Sequence, residues 1–333
     1  MVSNVKANSK GDIMERKLII VLDGLEEFLH KRIRNNAEQH GFSVNFFKNS
    51  TEALPYLADA EIVLGQSAVL AKNAPKLRWL CTPSAGVNQF IAPDCFANPN
   101  SVLTNSSGAY GVTISEHIVM VTLELLRRRQ EYNAFISAQK WSRGLQIRSI
   151  MDSRIALLGT GDIGQETAIR LRAFNPAGII GINRSGKNPR ELFDHVKTQE
   201  LLDSVLPETD ILIISLPGTA ETLHMLDTRR LAMLPDHALI INVGRGTVID
   251  QQALEIELRR GRLLAALDVF EQEPLSNDDS LWTCPNLLIT PHIAGDMTLP
   301  YTRRRIVELF LEDFENYCAG KPLARQVDLQ RGY

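Results

Sequence analysis

The chain has 333 residues, of which 44% are hydrophobic, and a net charge of −3. That length suits two domains of ordinary size, and the apolar content is enough for two cores. The charge balance excludes the basic field of a nucleic-acid binder, and no apolar stretch reaches the ~20 residues of a membrane span.

Residues 1–15 are polar and lack the apolar centre of a signal peptide, so they read as a flexible leader. Strands are predicted at Lys17–Leu22, Phe42–Phe47, Glu61–Leu64, Lys76–Thr82 and Val102–Thr104, with helices at Glu26–His40 and Thr51–Leu57 between them. Alternation of this kind gives one open parallel sheet. Thr113–Gln130 reads as a long helix, and Ile118, Val119, Val121, Leu123, Leu125 and Leu126 make it too apolar for a simple surface helix.

The next segment is the most informative. Arg154–Leu158 is a short apolar strand, followed at once by Gly159-x-Gly161-x-x-Gly164 and then a helix over Gln165–Phe174. Strand, glycine turn and helix in this order form the context of a dinucleotide site. Gly159 permits the turn, Gly161 removes a side chain where a pyrophosphate approaches, and Gly164 lets helix and strand pack closely. The helix N-terminus presents free N–H groups and its positive dipole end. Ala177–Ile182 is the second strand of the unit. Its end would carry an Asp or Glu for the ribose 2′-hydroxyl of NAD. Asn183, Arg184 and Ser185 stand there instead, with Lys187 close by. Asn183 does not repel a 2′-phosphate, Arg184 can clamp one through its planar fork, and Ser185 can donate a hydroxyl. NADP(H) is therefore favoured, with NAD(H) as the alternative in which Arg184 and Lys187 are solvated loop charges and Asn183 bonds a plain ribose.

Four further strands, Ile211–Ser215, Ala238–Val243, Arg262–Leu267 and Leu287–Thr290, complete a second sheet whose short apolar runs fit strands covered on both faces. Three of them are followed by chemically complementary residues: Arg245, Glu273 and His292. The carboxyl ends of strands are where open α/β sheets bind ligands. Hydride transfer to a ketone builds negative charge on oxygen, and a proton must arrive there. His292 is the natural donor, Glu273 would fix its tautomer, and Arg245 would bind a neighbouring carboxylate and polarise the carbonyl. Tyr110, Met297 and Tyr301 either line the pocket or fill an interdomain core.

Arg303–Gly320 is helical without a strand of its own. The simplest account returns it to the first domain, giving a substrate domain over 16–108 and 298–333 and a dinucleotide domain over 109–297. The expected architecture is α/β: two doubly wound, Rossmann-like parallel-sheet domains, the discontinuous one flavodoxin-like, with a cleft between them. The four cysteines, Cys81, Cys95, Cys284 and Cys318, show no C-x-x-C pair and no His at ligand spacing, so no metal site is expected. They read as reduced thiols of a cytoplasmic protein. The runs Arg127–Arg129 and Arg303–Arg305 read as solvated helix faces.

The glycine unit, Leu216–Thr222, Asn242–Gly246, Asp268–Pro274 and Trp282–Gly295 together resemble the D-isomer-specific 2-hydroxyacid dehydrogenases, and so does Ser106–His117 entering the long helix. The resemblance runs from about residue 60 to the end. Val327–Tyr333 is similar to the glyoxylate/hydroxypyruvate reductase branch. The resemblance implies catalytic roles for Arg245, Glu273 and His292. It places Asp268 near the nicotinamide carboxamide, and Leu216, Pro217 and Thr222 on the adenine side. Asp162 and Ile163 fall on the pyrophosphate, with Val243, Gly244 and Gly295 on the cofactor side. Ser84, Ala85, Gly86 and Val87 match a loop whose amides hold the substrate carboxylate. It also implies a homodimer built on the nucleotide domain and its long helix. Asn183-Arg184-Ser185 departs from the family's usual acidic residue, and Gln146–Ile150 from its usual lead-in. No regulatory domain follows the last helix, which counts against a long, serine-regulated phosphoglycerate dehydrogenase. A non-catalytic, dinucleotide-sensing corepressor on the same fold is the alternative function, and formate or phosphonate oxidation a third.

Overall fold

The computed structural model describes residues 16–92 and 94–329, and the readings made for 1–15 and 330–333 lie outside them. Contacts divide the chain into two compact units, one over 16–106 and 306–329 and one over 107–305.

The first unit holds a five-stranded parallel sheet in the order β2-β1-β3-β4-β5, with β1 Arg16–Val21, β2 Phe42–Phe47, β3 Ile62–Gly65, β4 Trp79–Cys81 and β5 Val102–Thr104. Alternate residues of β1 feed opposite cores. Leu18 and Ile20 pack with Leu29 and Ile33 of the helix Glu27–Gln39 and with Phe310 and Phe314 of the last helix. Ile19 and Val21 pack with Leu57, Leu70 and Leu80 on the other face. A strand covered on both faces can be apolar throughout, which is why its side chains do not alternate in polarity. Trp79 stacks on Phe310 at 5.2 Å and donates its indole N–H to Thr104 Oγ1 at 2.9 Å. The chain closes on the edge strand, where Val327 N donates to Leu103 O.

The second unit holds seven parallel strands in the order β12-β11-β10-β9-β6-β7-β8. They are β6 Arg154–Leu158, β7 Gly178–Asn183, β8 His195–Thr198, β9 Ile211–Ile214, β10 Leu239–Asn242, β11 Leu264–Leu267 and β12 Leu287–Ile289. Strand order reverses between β6 and β9. That is the topological switch point of a doubly wound sheet, and ligands bind outside the carboxyl ends of its strands. β6, β9 and β10 are almost wholly apolar and buried.

Several boundaries differ from the sequence expectation. The glycine helix is Asp162–Arg172 and takes in Gly164, because Gly161 serves as its extended N-cap. The long helix is Gly111–Leu126, and a second one, Arg129–Ser137, follows a break at Arg128, whose φ is 57°. Lys76–Arg78 stay outside β4, since the turn at Ala74 still claims Leu77 N. Pro55 lacks the N–H that would continue an α-helix from Ser50–Ala53, so Leu54–Asp59 tightens to a 3₁₀ turn. Strand β8 was not foreseen, being a mostly polar edge strand with no apolar run. Among the described residues, no helix is long and apolar enough to cross a membrane.

Candidate functional site

The three glycines of the turn after β6 meet different surroundings. Gly159 has φ 102°, and a Cβ there would come within 2.7 Å of Ser215 Oγ after β9. A Cβ at Gly164 would overlap the carbonyl of Gly159. Gly161 has φ −74°, and a Cβ there would meet nothing within 4 Å. Packing therefore requires the first and third glycines, while the protein leaves the space at the second open. The first bond of the helix is Gln165 N to Gly161 O at 2.9 Å. The amides of Asp162, Ile163 and Gly164 precede it and have no partner within the helix. This donor set, at a positive helix end beside a gap, fits a pyrophosphate. The Asp162 carboxylate faces elsewhere: it accepts from Gly111 N at 2.7 Å. Burial raises its pKa, with the Gly111 N–H opposing.

Asn183, at the end of β7, is fully engaged. Its Oδ1 accepts from Ser185 N at 3.0 Å and Gly186 N at 2.7 Å, and its amide donates to Thr160 Oγ1 at 2.7 Å and Lys187 O at 2.9 Å. Asn183 thus shapes the loop instead of offering its amide to a ribose. The loop displays Arg184, Ser185 and Lys187, all exposed.

The residues proposed for chemistry follow β10, β11 and β12. Arg245 is held between two glycines. A Cβ at Gly244 would lie 2.5 Å from Leu216 O, and one at Gly246 would overlap the backbone of Phe270. The loop after β10 is therefore seated against the loops after β9 and β11. Asn242, not foreseen as a site residue, locks it by donating to Arg245 O at 2.9 Å and accepting from Gly244 N at 3.0 Å. The half-buried guanidinium donates to Gly244 O at 2.7 Å, and among the described residues no carboxylate pairs with it. Burial pulls its pKa down, with Glu273 opposing through space. A desolvated cation without an anion is a seat for one.

His292 Nδ1 lies 2.6 Å from Glu273 Oε2, and Glu273 Oε1 accepts from Phe270 N at 2.9 Å. One carboxylate thus spans the backbone and the ring, which leaves the opposite ring nitrogen, Nε2, to face a ligand. The turn carrying His292 is organised by the buried Asp268. Its Oδ1 accepts from Thr290 Oγ1 at 2.6 Å and Ile293 N at 2.9 Å, and its Oδ2 from Ala294 N at 3.0 Å. Thr290 Oγ1 also touches His117 Nε2 at 3.4 Å. His117 lies on the helix Gly111–Leu126, and burial holds its pKa below the ordinary value, with Asp268 opposing. Sequence reading left it unassigned. The available signal was a histidine in a strongly apolar stretch of the helix, ahead of Ile118-Val119-Met120-Val121.

Around these groups, Thr222 is buried and staples its loop by donating to Pro217 O at 2.7 Å, while Leu216 belongs to the apolar core and Val243 is buried. Gly295 packs on Ile114 and Tyr110, and Tyr110 is itself buried while Tyr301 is exposed. The Ser84–Val87 loop belongs to the first unit. Ser84 O accepts from Ser106 N at 3.0 Å, Ala85 O from Asn105 Nδ2 at 2.9 Å, and Gly86 O from Ser84 Oγ at 2.7 Å. The carbonyls are occupied, whereas the amides of Ala85, Gly86 and Val87 find no acceptor among the described residues. The four cysteines are free.

A family model described as D-isomer specific 2-hydroxyacid dehydrogenase, NAD binding domain, matches residues 119–294. Glyoxylate/hydroxypyruvate reductase B of Yersinia enterocolitica is 31% identical over 292 residues, covering 83% of this chain and 87% of the relative. Among solved structures, a D-isomer specific 2-hydroxyacid dehydrogenase family protein from Aeromonas salmonicida aligns with a TM-score of 0.83 at 29% identity, covering 95% of this chain and 99% of the other. An NADPH-dependent glyoxylate/hydroxypyruvate reductase from Sinorhizobium meliloti, in complex with NADP and sulfate, aligns with a TM-score of 0.78 at 26% identity, covering 96% and 100%.

Proposed function

The chain belongs to the D-isomer specific 2-hydroxyacid dehydrogenases, and from that premise we propose that it is an NADP(H)-preferring reductase of small 2-keto acids of the glyoxylate or hydroxypyruvate type. The observation that carries the reading is the contact of His292 Nδ1 with Glu273, next to a half-buried Arg245 that no described carboxylate neutralises. A non-catalytic sensor would have no use for this arrangement.

The amides of Asp162, Ile163 and Gly164 would hold the pyrophosphate over the gap at Gly161, and Arg184 and Ser185 would hold the 2′-phosphate. Once bound, the nicotinamide supplies or accepts the hydride. The rest is done by the protein. Arg245 takes the substrate carboxylate by a two-pronged contact and places positive charge beside the carbonyl oxygen. His292 holds a proton on Nε2 and delivers it to that oxygen, and in the reverse direction takes the hydroxyl proton. Glu273 anchors Nδ1–H, which fixes the orientation of the ring. Asp268 is occupied by Thr290, Ile293 and Ala294, so it holds the turn that presents His292.

A homodimer formed through the second unit fits the apolar side chains it exposes. These include Met120, Ile136, Ile147, Met151 and Trp141, the last 88% exposed.

The test is a panel of 2-keto acids with NADPH and NADH, followed by nicotinamide absorbance. NADPH oxidation by glyoxylate or hydroxypyruvate, faster than NADH oxidation, is expected. No oxidation with any member would refute the proposal.

A further inference from the structure

His292 has φ 54°, in the left-handed region where a non-glycine residue persists only when its surroundings hold it. The holding contacts converge on Asp268. Its carbonyl accepts from His292 N at 2.9 Å and its carboxylate takes Ile293 N and Ala294 N, leaving one oxygen shared with Thr290 Oγ1 at 2.6 Å. Thr290 has one hydroxyl proton. A carboxylate only accepts, so that proton goes to Asp268, and the hydroxyl can then only accept at its 3.4 Å contact with His117 Nε2. The proton of neutral His117 is thereby assigned to Nε2. The direction of every bond in the chain from His117 to Thr290 to Asp268 to the turn amides is determined.

We propose that His117 is a positioning residue: by donating Nε2–H to Thr290 it keeps that hydroxyl aimed at Asp268, and through Asp268 it sets the orientation of the His292 ring. The inference rests on the reading of His292 as the proton donor. Burial depresses the basicity of His117, so it serves as a neutral donor and adds no second positive charge beside Asp268.

The full-length protein would be assayed with glyoxylate and NADPH, alongside thermal unfolding and fluorescence titration of NADPH. H117L should lower kcat about tenfold with the 2-keto acid KM and the NADPH Kd within about twofold, because misaim of a reacting group acts on turnover more than on binding. H117Q, whose amide nitrogen can donate from nearly the same place, should recover most of the loss. T290V should reproduce the defect, T290S should not, and H117L/T290V should be no worse than T290V alone. Wild-type kcat in H117L, or equal defects in H117L and H117Q, would overturn the inference. Should H117L not fold, the T290V and T290S pair decides: equal turnover in the two overturns it. H292A run in parallel separates the two claims. Full turnover in H292A sinks the proton-donor reading, whereas lost turnover in H292A with full turnover in H117L sinks only the role of His117.

Discussion

Replacing Gly161 by alanine separates the dinucleotide cradle from the scaffold. The backbone there, φ −74° and ψ −160°, is open to alanine, and no atom lies within 4 Å of the new methyl. At an N-cap, alanine is poorer than glycine by up to about 1 kcal/mol. Restricting the unfolded chain returns about 0.4–1 kcal/mol. The two terms nearly cancel, so Tm should move by less than about 4 °C. The methyl does occupy the gap beside the first-turn amides. Displacing one charge-assisted hydrogen bond there loses about 1.5–3 kcal/mol, which is roughly 10- to 100-fold in affinity. Gly164→Ala is the contrast: its Cβ overlaps the Gly159 carbonyl, so helix and strand must part at a cost of about 1–3 kcal/mol. Thermal unfolding and fluorescence titration with NADPH read both quantities. Unchanged NADPH affinity in Gly161→Ala, or a Tm loss equal to that of Gly164→Ala, would refute the reasoning.

Arg245→Lys keeps the charge but loses the fork, so the KM for the 2-keto acid should rise about 100-fold, with NADPH affinity intact; steady-state kinetics would expose the error if KM stayed put. Arg184→Ala should weaken NADPH about tenfold and leave NADH nearly unaffected, since only the 2′-phosphate needs the guanidinium; a parallel loss for both cofactors would contradict it. Burial raises the Asp162 pKa, so ionising it destabilises the fold above its folded pKa, and this penalty disappears below the unfolded value near pH 4. Asp162→Asn keeps an acceptor for Gly111 N. It should therefore raise Tm at pH 8 and lose that advantage near pH 4, and a pH-independent difference would count against the assignment.

The second sheet was legible because strands such as Ile211–Ile214 and Leu239–Asn242 are short, apolar and buried on both faces, a pattern that hydrophobicity alone discloses. Strand β8 was not, since an edge strand reading His-Val-Lys-Thr buries little and leaves no run. The break at Arg128 was equally hidden: arginine is a good helix former, and only tertiary context puts it at φ 57°. In the site, Arg245, Glu273 and His292 could be found because each follows a strand end. The work of Asn183 and Asp268 could not. Both look like ligand contacts in the sequence, yet their oxygens also hold amides a few residues away or, for Asp268, 25 residues away. His117 depends on a contact spanning 173 residues, which no local pattern encodes.

The most direct measurement is single-turnover hydride transfer from prebound NADPH to glyoxylate in the wild type and in His292→Ala. The account predicts fast transfer in the wild type, a rate lower by roughly 10²–10⁴ in the variant, and the same NADPH Kd in both. Equal rates in the two proteins would contradict it.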